Sequence, residues 1–219
     1  TPPITENLRY PAGERRQYPG LVFEFPGEEG LLYAAEKCSG SADCRKSALV
    51  GGTMCPTFMA TRDEDKSTRA RANILREFLT RSDRKNKFDH EEIYRVMDLC
   101  LSCKACKAEC PSNVDVARLK AEFLQHYYDI HHVPFRAWLI AWLPRLYVPG
   151  MMVRPLTNLV TSLPVFKRII GFSVKRPVPA LSPVTLRTWE RRRRRKNGIP
   201  KGTVCLFADE FTNYNESDI

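Results

Sequence analysis

Between Ser67 and Thr80 the apolar residues Ala70, Ile74, Leu75, Phe78 and Leu79 recur at helical spacing, and Ser67 is placed to cap the first turn. A second helical rhythm opens at Asp89 and puts Ile93, Val96 and Met97 on one face, with Cys100 extending it. A third runs from about Asn113, with Val116, Leu119, Phe123 and Leu124 inward, to the His131–His132 pair. The centre of the chain is therefore predicted to be helical. Upstream, residues 1–30 hold Pro2, Pro3, Pro11, Pro19 and Pro26 with no sustained period, which predicts an extended arm lying on another surface.

Residues 133–189 alternate short apolar runs with Pro134, Pro144, Pro149, Pro155, Pro164, Pro177, Pro179 and Pro183. Because an interior proline removes a helical hydrogen bond, the pattern predicts short helices joined by turns. Their apolar density exceeds what a surface helix needs, and mutual packing or packing on a further domain absorbs it most simply. Contact with a membrane surface, and through it with a quinone pool, is a third option. Trp138, Trp142, Leu146, Met151 and Met152 would supply the apolar side, with Arg136, Arg145 and Arg154 facing anionic headgroups. From Thr203 to Ala208 an unbroken apolar run predicts one buried strand, with Cys205 a small hydrophobe inside it. The fold class expected from this pattern is mainly α: an arm over 1–35, a helical domain over 36–132, a short-helix connector over 133–198, and over 199–219 a first strand where a further domain begins.

Composition narrows this picture little. The 219 residues are 43% apolar and 27% charged, which argues against wholesale disorder, a collagen-like chain or a polytopic membrane protein. The net charge of +10 is unevenly spread, since residues 1–111 carry 18 basic and 17 acidic groups and residues 112–219 carry 17 and 8. Six basic residues form one run, Arg191 to Lys196, so the charge is poor support for a nucleic-acid face. Ala137–Leu143, the most apolar stretch, is too short to cross a bilayer. No secretory signal opens the chain, and Thr1 stands where an initiator Met would, as in a processed form or a piece of a longer protein. The expected setting is the cytoplasm, where thiols stay reduced, with peripheral contact at the inner membrane as the variant.

The cysteines change the picture most. Cys100, Cys103, Cys106 and Cys110-Pro111 form a C-x2-C-x2-C-x3-C-P run. Three thiolates at that spacing can wrap one iron-sulfur cubane, while the fourth faces away and, in two-cluster proteins, ligates the other cluster. Zinc more often takes two separated C-x2-C pairs. Cys38-x5-Cys44-x10-Cys55-Pro56 repeats the run imperfectly, with Ser41 where a second cysteine would stand. Crossed ligation then assigns Cys55, Cys100, Cys103 and Cys106 to a [4Fe-4S] cluster. Cys38, Cys44 and Cys110 remain for a second cluster, either [3Fe-4S] or a [4Fe-4S] with Ser41, water or nothing at the fourth iron. The plainer alternative leaves Cys38 and Cys44 as non-ligands. Arg45, Lys46, Lys104 and Lys107 stand beside the ligands in sequence and would stabilise reduced, more negative clusters.

The strings Cys38–Lys46, Gly52–Glu64, Ser67–Ala72 and Asp98–Asp115 resemble the iron-sulfur region of FAD-linked 2-hydroxyacid dehydrogenases, a family that includes the glycolate oxidase iron-sulfur subunit and fused D-lactate and D-2-hydroxyglutarate dehydrogenases. Thr1–Tyr10 resembles the segment leaving the flavin domain in fused members, and Val204–Tyr214 the opening strand of their cysteine-rich C-terminal domain. The resemblance implies that 1–35 is an arm leaving an upstream FAD domain, that 36–132 is a helical two-cluster ferredoxin domain, and that 199–219 is the first strand of a truncated α/β cysteine-rich domain, with the FAD domain itself and the rest of the cysteine-rich domain outside this sequence. Lys66 departs from the family, which often has His there. The crossed pattern with one cysteine missing is also similar to the helical ferredoxin domain of the succinate dehydrogenase iron-sulfur subunit, which implies an all-α setting for the clusters.

Electron transfer is the leading expectation. A flavin would oxidise a 2-hydroxy acid elsewhere, and this segment would pass electrons singly toward a quinone or other acceptor, within an oligomer. No catalytic residue is expected here, since His90, His126, His131 and His132 are few and helical. Arg62, Arg69 and Arg71 are candidates to cap a flavin edge or bind a carboxylate, against plain salt bridging on a helix surface. The alternative is a structural metal module whose basic helix at Arg191–Lys196 binds nucleic acid or a partner. Cations near the Gly198 end of a helix, with only Trp189 for stacking, speak against nucleic acid.

Overall fold

The computed structural model describes residues 3, 5–6, 18, 20–192 and 205–217. The chain divides into two compact units, Thr1–His132 and Val133–Ile219. Among the described residues the regular structure is helical throughout.

The first unit is built from α1 (Leu31–Glu36), α2 (Pro56–Thr61), α3 (Thr68–Arg81), α4 (Glu91–Asp98), α5 (Ala105–Glu109) and α6 (Val116–His131), with 3-10 turns at Asp43–Arg45, Ala48–Val50 and Glu64–Lys66. Ser67 caps α3 as its sequence predicts, its hydroxyl accepting from the Ala70 amide at 3.0 Å. The buried stripe of α3 is rotated from the expected one, however, and runs through Thr68, Arg71, Ala72, Leu75 and Leu79, which brings an arginine to the inside. Helix α4 starts after His90 and buries Ile93, Val96 and Met97. Cys100 falls beyond its end. Asp115 caps α6 by accepting from the Arg118 amide at 3.1 Å, and the helix buries Val116, Leu119 and Phe123 as expected. Leu31, Leu32, Leu75, Leu79, Ile93 and Phe123 are fully buried in one core, each worth about 1.5–3 kcal/mol relative to exposure.

The described part of the predicted arm lies on the helices of its own unit. Tyr18 donates its hydroxyl proton to the Leu79 carbonyl. The Val22 and Phe23 amides donate to the Glu122 carboxylate on α6 at 2.9 and 2.8 Å. Phe25 is buried beneath the Arg118 guanidinium, 4.6 Å from its ring centre. Residues 31–35, assigned by sequence to the same arm, fall in α1, which supplies Leu31 and Leu32 to the core.

The second unit holds α7 (Phe135–Met152), α8 (Arg154–Ser162), α9 (Pro164–Ile169), α10 (Leu186–Arg192) and α11 (Glu210–Tyr214). The expected break at every proline is corrected here, because α7 runs through both Pro144 and Pro149. Each removes one amide donor and crowds one carbonyl, a cost that a long helix can absorb by bending rather than ending. Pro155 and Pro164 instead sit at helix starts, where the missing N–H would have had no partner. The expected strand is also corrected. Cys205–Asp209 has no strand conformation, Leu206 and Phe207 are 72% and 87% exposed, and Cys205 is exposed. A strand exists only through a neighbouring ladder, and no described segment pairs with this one. Thr203 and Val204 lie outside the described residues, as do residues 193–196 of the basic run, while Arg191 and Arg192 end α10.

Along α7, Trp138, Trp142, Leu146 and Met152 are exposed, with Arg145 stacked 4.5 Å over the Trp142 ring. Among the described residues no helix is long and apolar enough to cross a membrane.

Candidate metal centre

Two short helices and one loop bring the cysteines of the first unit together. The loop from Leu99 to Lys104 leaves α4 and turns tightly, with Ser102 and Lys104 at φ +53° and +61°. It carries Cys100 and Cys103 to the start of α5, which holds Cys106 and ends at Cys110. Cys55 sits just before α2, where Pro56 takes the first helical position. Pro111 lies in a turn, and α6, expected from about Asn113, begins at Val116.

The cysteines border two separate hollows. One, about 330 Å³ out to its mouth, is bordered by Cys55, Cys100, Cys103 and Cys106 together with Arg71 and the start of α6. The other, about 280 Å³, is bordered by Cys38, Cys44 and Cys110 together with Ser41, Ser112 and the start of α3. Met54 and Thr68 border both. All eight cysteines are free of disulfides, and Cys205 belongs to the second unit.

The surroundings favour negative sulfur. The Arg69 amide, in the first turn of α3, donates to Cys44 Sγ at 3.4 Å, and the Asn73 amide group lies 3.9 Å from Cys38 Sγ. At Cys106 the donors are the amides of Val116 and Ala117, in the first turn of α6. Helix N-termini carry unpaired N–H groups and the positive end of the helix dipole, so both are suited to anionic sulfur. Burial pushes the Cys44 and Cys106 thiols up from the ordinary value, while these same amides pull the other way. Arg71 is 1% exposed and donates through Nη1 to Cys55 Sγ at 3.4 Å and through Nε to the Val96 carbonyl at 3.0 Å. Its Nη2 is buried without a partner. A buried cation with an orphaned donor, four thiols and a helix N-terminus around one hollow fit an anionic thiolate-bound cluster. Among the described residues, no three His, Cys, Asp or Glu side chains converge as ligands of a single metal ion do. Thiols spread around the walls suit a multi-iron cluster better than the tight tetrahedron of zinc.

A supporting frame ties the two cysteine motifs together. Glu109, between Cys106 and Cys110, accepts from the amide and hydroxyl of Thr53, the amide at 2.7 Å, and from the Met54 amide at 3.1 Å. These bonds hold its carboxyl below the usual range. Thr57 donates to the Leu99 carbonyl at 2.9 Å, and Lys120 donates to the Cys100 carbonyl at 2.7 Å. Sequence inspection passed over Glu109 and Asn73. The one available signal was position: an acidic residue inside a cysteine run, and an amide four residues beyond Arg69 on the same helix face.

Other expected residues are placed differently. Ser41 borders the second hollow, but its side chain is hydrogen-bonded to Asp43. Ser39 and Ser112 pair across the same region at 2.7 Å. Of the arginines considered for an external flavin, Arg62 is exposed at the end of α2, Arg69 pairs with Glu64 at 2.7 Å, and Arg71 is closed off from any outside group. Three of the four cations expected to tune the clusters are paired with carboxylates: Arg45 with Glu64, Lys46 with Asp43 and Lys104 with Asp115.

Residues 37–115 match the family described as the 4Fe-4S dicluster domain. That stretch is similar to a dicluster domain. Over most of its length the chain is also distantly related to D-2-hydroxyglutarate dehydrogenases. It is 28% identical to the one from Pseudomonas putida over 85% of this chain, and 25% identical to the one from Escherichia coli over 84%. A 54-residue stretch is 37% identical to the Haemophilus influenzae enzyme, covering 25% of this chain and 5% of that protein. The chain spans 23% of the length of the first two relatives. No solved structure matches it. The matched region contains all seven cysteines that border the two hollows.

Proposed function

We propose that this chain is the iron-sulfur electron-transfer segment of a flavin-dependent 2-hydroxyacid dehydrogenase, passing single electrons from FAD toward a quinone or other acceptor. In this reading Cys55, Cys100, Cys103 and Cys106 hold a [4Fe-4S] cluster, and Cys38, Cys44 and Cys110 hold a second cluster of three or four irons. The observation that carries the reading is the sorting of the cysteines: each hollow combines cysteines from both motifs, as crossed ligation in a dicluster domain requires. The relation to D-2-hydroxyglutarate dehydrogenases supports a 2-hydroxy acid as the electron source. When bound, such clusters supply reversible one-electron acceptance, which divides the two electrons of a flavin. The chain's own residues supply the rest. Arg69, Val116 and Ala117 amides face the sulfurs, Glu109 joins the Cys55 loop to α5, and the apolar core beneath α3 and α6 holds these groups in place.

Iron, acid-labile sulfide and zinc per chain, with electron paramagnetic resonance before and after dithionite, test this on anaerobically purified protein. About seven or eight irons and two distinct signals are expected. A single cubane would overturn the two-cluster assignment, and stoichiometric zinc without iron would overturn the whole reading.

A further inference from the structure

Arg71 differs from every other cation near the cysteines. Its guanidinium is buried, borders the hollow of Cys55, Cys100, Cys103 and Cys106, and touches one of those sulfurs. Its described partners are one sulfur and one carbonyl, with Nη2 unpaired and no carboxylate among them. The second hollow has no equivalent. Its nearest arginine, Arg69, is about a third exposed and is neutralised by Glu64, and it offers the cysteines only a backbone amide. An unpaired buried charge is expensive unless something nearby compensates it. The one compensating charge this hollow can hold is the net negative charge of a thiolate-ligated cluster.

We infer that Arg71 is a positioning residue that sets the reduction potential of the four-cysteine cluster and leaves that of the three-cysteine cluster largely unaffected. The inference rests on the dicluster reading above. Reduction adds one electron, and so one negative charge, to the cluster. A fixed cation at low local dielectric stabilises the reduced form more than the oxidised one. Electrons arriving at this unit are thereby biased toward the cluster beside Arg71, giving the relay a direction that the cysteine spacing does not specify. Lys120, which donates to the Cys100 carbonyl, is a second cation on this side, but it reaches backbone rather than sulfur.

The test is a dithionite redox titration of the full-length protein, followed by electron paramagnetic resonance, with iron and sulfide counted on every sample. Arg71→Gln removes the charge and keeps a donor. It is expected to lower the reduction equilibrium constant of the four-cysteine cluster at least tenfold, a fall of 59 mV for one electron, with the other signal unmoved. Arg71→Lys keeps the charge and should stay within about threefold of the wild type. An unmoved potential in Arg71→Gln, or an equal shift of both signals, overturns the inference. So does a tenfold fall in Arg71→Lys, because geometry rather than charge would then be responsible. If Arg71→Gln binds no iron at that site, the lysine variant decides by the same thresholds. Wild-type protein without two clusters would instead refute the dicluster reading itself.

Discussion

Glu122 ties residues 22 and 23 to α6 through its carboxylate, and its replacement by Gln tests what that tie contributes. The carboxylate is fully buried and accepts three bonds: Val22 N at 2.9 Å and His126 Nε2 at 2.9 Å on one oxygen, and Phe23 N at 2.8 Å on the other. Glutamine keeps the shape but turns one oxygen into an NH2 group. Whichever way it faces, at least one buried amide meets a donor. An unsatisfied buried donor costs about 1–3 kcal/mol, and loss of the charge weakens the bonds that remain, so about 2–4 kcal/mol is expected. The loss should appear first as local opening of residues 22 and 23, whose amides bond Glu122 directly, while Phe25 keeps its contact with Arg118 on α6. Native-state hydrogen exchange reads it directly. At about 1.4 kcal/mol per tenfold, the Val22 and Phe23 amides should exchange at least ~30-fold faster in Glu122→Gln, while Leu75 and Leu79 amides in α3 change far less. Exchange at Val22 and Phe23 within threefold of the wild type would refute the argument that a buried carboxylate pins this segment.

Two further outcomes follow from the cysteine frame. If ligation is crossed, Cys55→Ala abolishes the same resonance signal as Cys103→Ala, and Cys110→Ala the same signal as Cys38→Ala; pairing by sequence motif instead, with Cys55 grouped with Cys38, would defeat the assignment. Gly52→Ala places a methyl carbon 2.6 Å from Glu109 Oε2 at a φ of +83°, so the carboxylate must shift from its position against the Met54 amide. A loss of about 1–3 kcal/mol is expected from the backbone strain, seen as faster release of iron to a chelator, and an unchanged release rate would remove Glu109 from the frame.

What the sequence made legible was whatever has a short-range signature. The caps Ser67 and Asp115 and the apolar period behind them mark α3 and α6 because capping and burial act within one or two turns. The cysteine spacing marks a cluster loop for the same reason. Arg71 was open to two readings, a contact with flavin or carboxylate or plain salt bridging on a helix surface, and its place on the buried stripe of α3 follows instead from a rotation of the helix that only the packing of α1, α4 and α6 determines. Prolines 144 and 149 were read as helix ends because their cost is local and certain, while the capacity of an 18-residue helix to absorb it is not visible residue by residue. The strand at 203–208 failed for the complementary reason. Apolar runs say that a segment is suited to burial, but a ladder also requires a neighbour, which no local pattern can report.

The arrangement of the two hollows also bears on how the unit folds. Cys55 follows the first motif in sequence yet borders the hollow of the second, and Cys110 follows the second yet borders the hollow of the first. Neither hollow is therefore complete until α2 and α5 have docked, and the Glu109 bonds to Thr53 and Met54 span that junction. The donors that face the sulfurs come from the starts of α3 and α6, whose burial forms the core beneath both. If the clusters are held as proposed, each draws its thiols and amide donors from segments that meet only in the packed chain, with the unpaired Arg71 Nη2 beside one of them. Binding and folding are then one coupled equilibrium, as expected wherever a metal site exists only in the folded chain.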